Sequence, residues 1–208
     1  MQLRQPADPR PASIAIPVRS FEGAKSRLGA VLDAEERHEL VELLLQRTIA
    51  AARGVDEVLV VSSDPDVLRV AESAGARPVE QRSRGLTPAL HEAREAATGA
   101  RLLILPADIP AVDAAALERV LAAGDATGRP SVVLVPDRHG RGTNALLLDP
   151  PDVIDPAFGG DSRAGHAWLA SSADAAYAEV HDVLGLDVDT PEDLLLAEAA
   201  TPEAIHVD

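Results

Sequence analysis

The 208-residue chain contains no cysteine, which excludes disulfides, thiolate nucleophiles and thiolate-bound zinc together. Any metal must then be held by oxygen or imidazole, a donor set that suits hard cations such as Mg²⁺. Aromatic residues make up only 2%, and no basic stripe is interleaved with them, which argues against a nucleic-acid partner. No stretch is long and uncharged enough to span a bilayer, and the Pro-rich start has no apolar leader, so a cytoplasmic protein without membrane contact is expected. Lysine is almost missing: Lys25 stands alone against eighteen arginines. Where nearly every cation is a forked guanidinium, a surviving compact ammonium marks a candidate phosphate site.

What is present points to one domain. A hydrophobic content of 46% supports a sizeable core, and no break in composition divides it. Residues 1–12, polar and rich in proline, read as a flexible N-terminal arm, with a single domain over 13–208. The net charge of −15 is spread along the chain rather than gathered in a tail, and leaves a homodimer open.

From Ser13 onward, apolar runs of strand length alternate with amphipathic runs of helix length. This is the pattern of an α/β fold built from βαβ units around a mostly parallel sheet. Strands are expected at 13–18, 57–62, 77–80, 101–106, 131–136, 144–148 and 177–181. Asp33-Ala-Glu-Glu36 opens a helix running to about Arg53, with a cap carboxylate and a glutamate three residues on. Ser63-Asp64-Pro65, Thr87-Pro88 and Thr190-Pro191 each place a capping side chain before a proline and start three more. Asp113–Ala123 and Ser162–Ser171 complete the set.

Ligands of open parallel sheets bind beyond the carboxyl ends of the strands, and the unusual residues gather there. The loop after the first strand carries Arg19, Lys25 and Arg27 among small residues, an arrangement suited to a phosphate chain, although an ordinary basic loop would read the same. It has neither a Gly-x-Gly-x-x-Gly nor a Walker signature. Leu105-Pro-Ala-Asp108-Ile-Pro110 sets one carboxylate in a stiffened turn, placed to hold a cation against phosphates or to cap a helix. In Asp187-Val-Asp189 the two acids fall on the same side of an extended segment and repel each other unless a cation lies between them. Glu192 and Asp193 read as helix-start residues complementing the helix dipole.

Taken together, Ile16-Pro-Val-Arg19, Ala24-Lys-Ser-Arg-Leu28, Leu105-Pro-Ala-Asp-Ile-Pro110, Pro136-Asp-Arg-His-Gly140, Gly142-Thr-Asn144, Phe158-Gly159 with Ser162 and His166, and Asp187-Val-Asp-Thr-Pro-Glu-Asp-Leu194 form an ordered set. Over about residues 13–198 this set resembles the phosphoenolpyruvate and 2-phospho-L-lactate guanylyltransferases of coenzyme F420 biosynthesis. The resemblance implies a Rossmann-like α/β/α nucleotidyltransferase fold. It also implies a reaction in which the phosphate of a three-carbon phospho-acid attacks the α-phosphorus of GTP and diphosphate leaves.

By the same resemblance, Asp108 and Asp189 hold Mg²⁺, with Asp187 as a further ligand or a carboxylate just outside the coordination sphere. Lys25, Arg19 and Arg27 hold the triphosphate. Thr143, Gly159 and Ser162 contact the acceptor, with Arg138, His139, Arg163 and His166 near enough to lend charge. Guanine is expected near Ser62, Ser63 and Gly85. Two departures from the family pattern stand out: Gly85-Leu-Thr replaces a Gly-Leu-Asn form, and Arg19 replaces a lysine. Two other readings compete, a nucleotidyltransferase using CTP or a sugar phosphate and a nucleotide-binding regulatory module without turnover. The first lacks the Leu-x-Gly-Gly type of opening loop, and the second does not account for intact Lys25, Asp108 and Asp189.

Overall fold

The computed structural model describes residues 10–201 and 205. Seven strands, Ala12–Pro17 (β1), Glu57–Ser62 (β2), Arg77–Glu80 (β3), Arg101–Ile104 (β4), Ser131–Pro136 (β5), Thr143–Asp149 (β6) and Ala176–Glu179 (β7), form one sheet in the order β3-β2-β1-β4-β6-β5-β7. All neighbours are parallel except β6, which runs antiparallel to both β4 and β5. The short Asp137–Gly142 link explains the exception, because a parallel return needs a crossover of a dozen residues or more.

Helices Ala34–Ala51 (α1), Pro65–Ser73 (α2), Leu86–Ala96 (α3), Ala114–Thr127 (α4), Ser162–Ser172 (α5) and Pro191–Ala200 (α6) flank the sheet. The strands are apolar on both faces. Ile14, Ile16, Leu103, Val133 and Leu147 pack with α1, α2 and α4, while Ala15, Leu102, Val132, Leu146 and Leu148 pack with α3 and α5. Alternation along each strand therefore supplies two cores and an α/β/α sandwich. A third, smaller cluster joins Leu28, Leu40 and Leu44 to Val188, Leu194, Ala197 and Ile205, docking α6 against α1 and the turn after Lys25.

Several boundaries differ from the expected ones: β1, β6 and β7 shift by one or two residues, β4 ends at Ile104 rather than 106, and α1 and α5 end at Ala51 and Ser172. The Asp33 capping box and the Asp64 and Thr190 caps form as read, but α3 begins at Leu86. Its cap is Gly85, whose φ of 109° turns the chain before Thr87 can act. Pro88 then sits in the first turn, where a missing N–H breaks no helical bond. α4 runs past Ala123 to Thr127, since nothing stops it before Gly128, φ 99°. Of the expected arm, residues 1–9 lie outside the described residues. Arg10 to Ala12 belong to the fold: Arg10 pairs with the buried Asp149, the Pro11 carbonyl accepts from Ala100 N, and Ala12 N donates to Asp56. Among the described residues no helix is long and apolar enough to cross a membrane.

The strand order reverses between β1 and β4, whose following loops carry Lys25 and Asp108. This is the switch point at which an open α/β sheet leaves a crevice. Because β6 is antiparallel, its first residues, Thr143 and Asn144, lie at the same edge of the sheet. Between β5 and β6 the register shifts: Val135 pairs with Ala145 but Pro136 pairs with Thr143, so Asn144 is the bulged residue. The bulge turns Asn144 toward Leu184 and Asp187 and Thr143 toward α5.

Candidate active site

Lys25 sits at the centre. Its Nζ lies 2.6 Å from Asp108 Oδ2 and 2.7 Å from Asp189 Oδ1, and its backbone is left-handed, φ 50°. A lysine adopts that conformation at a cost of roughly 1–2 kcal/mol, which the surrounding contacts must offset. Burial pulls the ammonium pKa down, yet the two carboxylates outweigh burial and the pKa is raised. Lys25 is thus a fixed cation. The loop holding it is pinned by Asp64, which accepts from Ser20 Oγ at 2.7 Å and Phe21 N at 3.3 Å while capping α2.

Asp187 and Asp189 flank Val188, which is fully buried beneath them. Val188 N donates to Asp108 O at 3.0 Å and ties the two acidic loops together. Carboxylate oxygens of Asp108, Asp187 and Asp189 all lie within 4.8 Å of one another. Burial, and next the charge of Asp108, push the Asp187 carboxyl above its usual range, while Asn144 Nδ2 donates to it at 3.3 Å. Three hard oxygen donors at this spacing, one of them destabilised by its neighbours' charge, fit a divalent hard cation.

Asp193 is an organiser, not a ligand. It accepts from Asp189 N, Thr190 N and Thr190 Oγ1 and meets Arg138 Nη2 at 2.7 Å. Burial raises its pKa, but these donors prevail and hold it below the usual carboxylate range. Arg138, expected near the acceptor as a source of charge, is engaged here instead, tying the β5–β6 loop to the start of α6.

One hollow opens on this centre and a second adjoins it. One, of about 330 Å³, is lined by Arg19, Lys25, Arg27, Asp108 and Asp189. The other, of about 840 Å³, shares Pro17, Val18 and Arg19 and is lined further by Ser63, Gln81, Arg84 and Gly85. Arg19 is exposed between them, and Arg27 lies 3.9 Å from Asp189 Oδ2. Ser62 is placed differently from its neighbour. Its hydroxyl is buried, donates to Arg19 O at 3.3 Å and accepts from Asp64 N, so it shapes the loop while Ser63 faces the hollow. Gln81 Nε2 donates to Ser83 O and Gly85 O, and Glu92 accepts from Arg82 N and Ser83 N, which fixes the rim of the larger hollow.

The structure brings Thr143 and Ser162 together, with hydroxyl oxygens 3.0 Å apart, at the start of α5. Gly159 lies in the same turn, its carbonyl accepting from Ser162 N at 3.2 Å. Arg163 donates to Glu179 from Nε and Nη2 and to Gly140 O from Nη1, and Arg163 N donates to Arg141 O, so α5 is tied to β7 and to the β5–β6 loop. Within that loop Gly142 approaches the Asp137 carboxylate so closely that a Cβ would lie 2.8 Å from it. The tie from Asp64 to the basic loop carries no signal in the sequence, nor does the pairing of Arg138 with Asp193 in place of the acceptor. Short-range patterns signal a cap but not a partner forty or more residues away.

The chain matches the family model described as "Guanylyl transferase CofC like" over residues 12–198. A "Phosphoenolpyruvate guanylyltransferase" of Conexibacter woesei is 43% identical over 194 residues, covering 86% of this chain and 83% of that one. Another with that name, from Rubrobacter xylanophilus, is 43% identical over 196 residues, covering 89% and 92%. A "2-phospho-L-lactate guanylyltransferase" of Methanothermobacter thermautotrophicus is 38% identical over 185 residues, covering 86% and 80%. Among solved structures, a nucleotidyl transferase from Methanothermobacter superposes with a TM-score of 0.67 at 18% identity, covering 92% of this chain and 98% of that one. A CMP:2-keto-3-deoxy-manno-octonic acid synthetase superposes with a TM-score of 0.61 at 18% identity, covering 93% and 99%. At those identities the structural likeness speaks for the fold, and the fold is that of nucleotidyltransferases. With the family model spanning nearly the whole domain and relatives this similar along their length, the chain belongs to the CofC-like guanylyltransferase family.

Proposed function

We propose that the protein transfers GMP from GTP to phosphoenolpyruvate with Mg²⁺, releasing diphosphate and forming enolpyruvoyl-2-diphospho-5'-guanosine for coenzyme F420 biosynthesis. The observation that carries this is the convergence of Lys25, Asp108, Asp187 and Asp189 at the switch point, beside a hollow that adjoins a larger one. The larger hollow has the size of a nucleoside site. Ser63, Gly85 and the Gln81 rim border the base there, and Arg19 lies where the triphosphate would pass into the smaller one.

Lys25, Arg19 and Arg27 bind and orient the phosphates. Asp108 and Asp189 hold the metal with Asp187 beside them, and Mg²⁺, when bound, screens the charge that gathers on the α-phosphate and on the leaving diphosphate. Thr143 and Ser162 seat the acceptor with their hydroxyls, beside the turn at Gly159 and the positive end of α5. The bond formed joins an acceptor phosphate oxygen to the α-phosphorus, and the bond broken is the α–β bridge. An acceptor phosphate is already anionic at neutral pH, so no side chain has to remove a proton.

A second acceptor, 2-phospho-L-lactate, is favoured by one observation, the 38% identical relative that bears its name. The two acids differ in little more than shape at one carbon, a difference worth at most a few kcal/mol in a pocket. Diphosphate release from GTP, ATP, CTP and UTP, each with phosphoenolpyruvate, 2-phospho-L-lactate or a hexose 1-phosphate, separates the readings. Release with GTP and phosphoenolpyruvate alone is expected. Release with 2-phospho-L-lactate alone overturns the acceptor, and release with CTP overturns the base.

A further inference from the structure

The hydroxyl pair at the acceptor end is backed by a histidine whose proton can be located. His166, in α5, is fully buried and stands edge-on to Phe158, with ring centroids 5.2 Å apart. Its Nε2 lies 2.9 Å from the backbone nitrogen of Ala157. An amide N–H only donates, so Nε2 must offer its lone pair. Burial depresses the ring's pKa to about 4, which leaves it neutral at pH 7 with its one proton on Nδ1. Nδ1 is 3.0 Å from Thr143 Oγ1, and Ser162 Oγ is 3.0 Å from that same oxygen.

Three protons are thus shared among one ring and two hydroxyls. One links Nδ1 to Thr143 and one links the two hydroxyls. The third is left to donate outside the cluster, from Thr143 or from Ser162. With the opposite tautomer Thr143 would spend its proton on the ring and Ser162 would spend its own on Thr143, so that the pair would turn only lone pairs outward. The tautomer therefore decides whether this hydroxyl pair attracts an anionic oxygen or repels it.

We propose that His166 is a positioning residue for the acceptor subsite: by donating from Nδ1 to Thr143, it frees one hydroxyl proton of the Thr143–Ser162 pair for an anionic oxygen of the phospho-acid. The proposal rests on the reading that Thr143 and Ser162 hold the acceptor, and a Thr143→Val variant tests that reading separately. His166→Asn keeps an amide donor near the Nδ1 position, whereas His166→Gln keeps an acceptor near the Nε2 position and gives Thr143 nothing.

Steady-state rates with Mg²⁺ and saturating GTP should show the KM for phosphoenolpyruvate rising about tenfold in His166→Gln, the scale of one hydrogen bond to a charged group. The rise in His166→Asn should be several times smaller, and the KM for GTP should move little in either, a split that general loosening of the fold would not produce. Equal acceptor KM values in the two variants, with Thr143→Val still impaired, overturn the role of His166 and leave the subsite standing. A Thr143→Val enzyme with normal acceptor KM overturns both. Should either histidine variant fail to fold, the ¹⁵N shifts of the wild-type ring decide: a neutral Nδ1–H ring is expected, and an Nε2–H or charged ring refutes the proposal.

Discussion

Asp108 ties Val188 through its backbone carbonyl, which Asn in its place would keep, while its side chain meets Lys25. Asp108→Asn should lower kcat by about a thousandfold, the scale of losing an electrostatic partner of the transition state. The melting temperature should stay within a few degrees, and kinetics run beside a thermal melt checks both. His166 gives a second expectation at this scale. Unfolded, its imidazole takes a proton near pH 6.5; folded, it does so only near pH 4. In that window the unfolded chain binds more protons, so stability is intact above pH 6.5 and falls as the pH drops toward 4, by on the order of 3 kcal/mol from this group. Asp187 works in the opposite sense from 3.8 upward, its pKa being raised by burial and next by Asp108. Comparing urea unfolding of the wild type with His166→Asn at pH 7 and pH 5 cancels that contribution, and the wild type should show the steeper decline.

At the scale of elements, α6 matters more than its length suggests, because its first turn holds the strand-like segment that carries Asp187 and Asp189. The Thr190 and Asp193 capping box fixes that turn. Thr190→Ala should cost about 1 kcal/mol, or 2–4 °C in a melt for a chain of this length, and should weaken turnover as well. Much of this architecture was legible in the sequence. β2, β3 and β5 fall where alternation placed them, and the caps at Asp33, Asp64 and Thr190 are local signals with local causes. Gly85 was not legible as a cap because its effect lies in φ. The bulge at Asn144 was hidden too, since register depends on the partner strand. The three aspartates could be nominated from their loops, but that Lys25 would stand between two of them is a fact of chain folding across 83 and 164 residues.

Over the whole molecule, the net charge of −15 works against every anionic substrate in this account. Approach of GTP then depends on cations concentrated at one edge of the sheet, where Arg19, Lys25 and Arg27 line one hollow. Without a divalent cation the carboxylates of Asp108, Asp187 and Asp189 are offset only in part by Lys25 and Arg27. Calorimetric titration of GTP should therefore show affinity falling by about tenfold or more when Mg²⁺ is replaced by EDTA. Equal affinity in the two conditions would remove the metal from nucleotide binding. The most direct test of guanylyl transfer is a ³¹P NMR record of the wild-type enzyme with GTP, phosphoenolpyruvate and Mg²⁺. Loss of both substrates is expected, with a new pair of coupled resonances from a P–O–P-linked product and free diphosphate in equal amount; GTP left intact, or turned only into GDP and phosphate, would rule out guanylyl transfer.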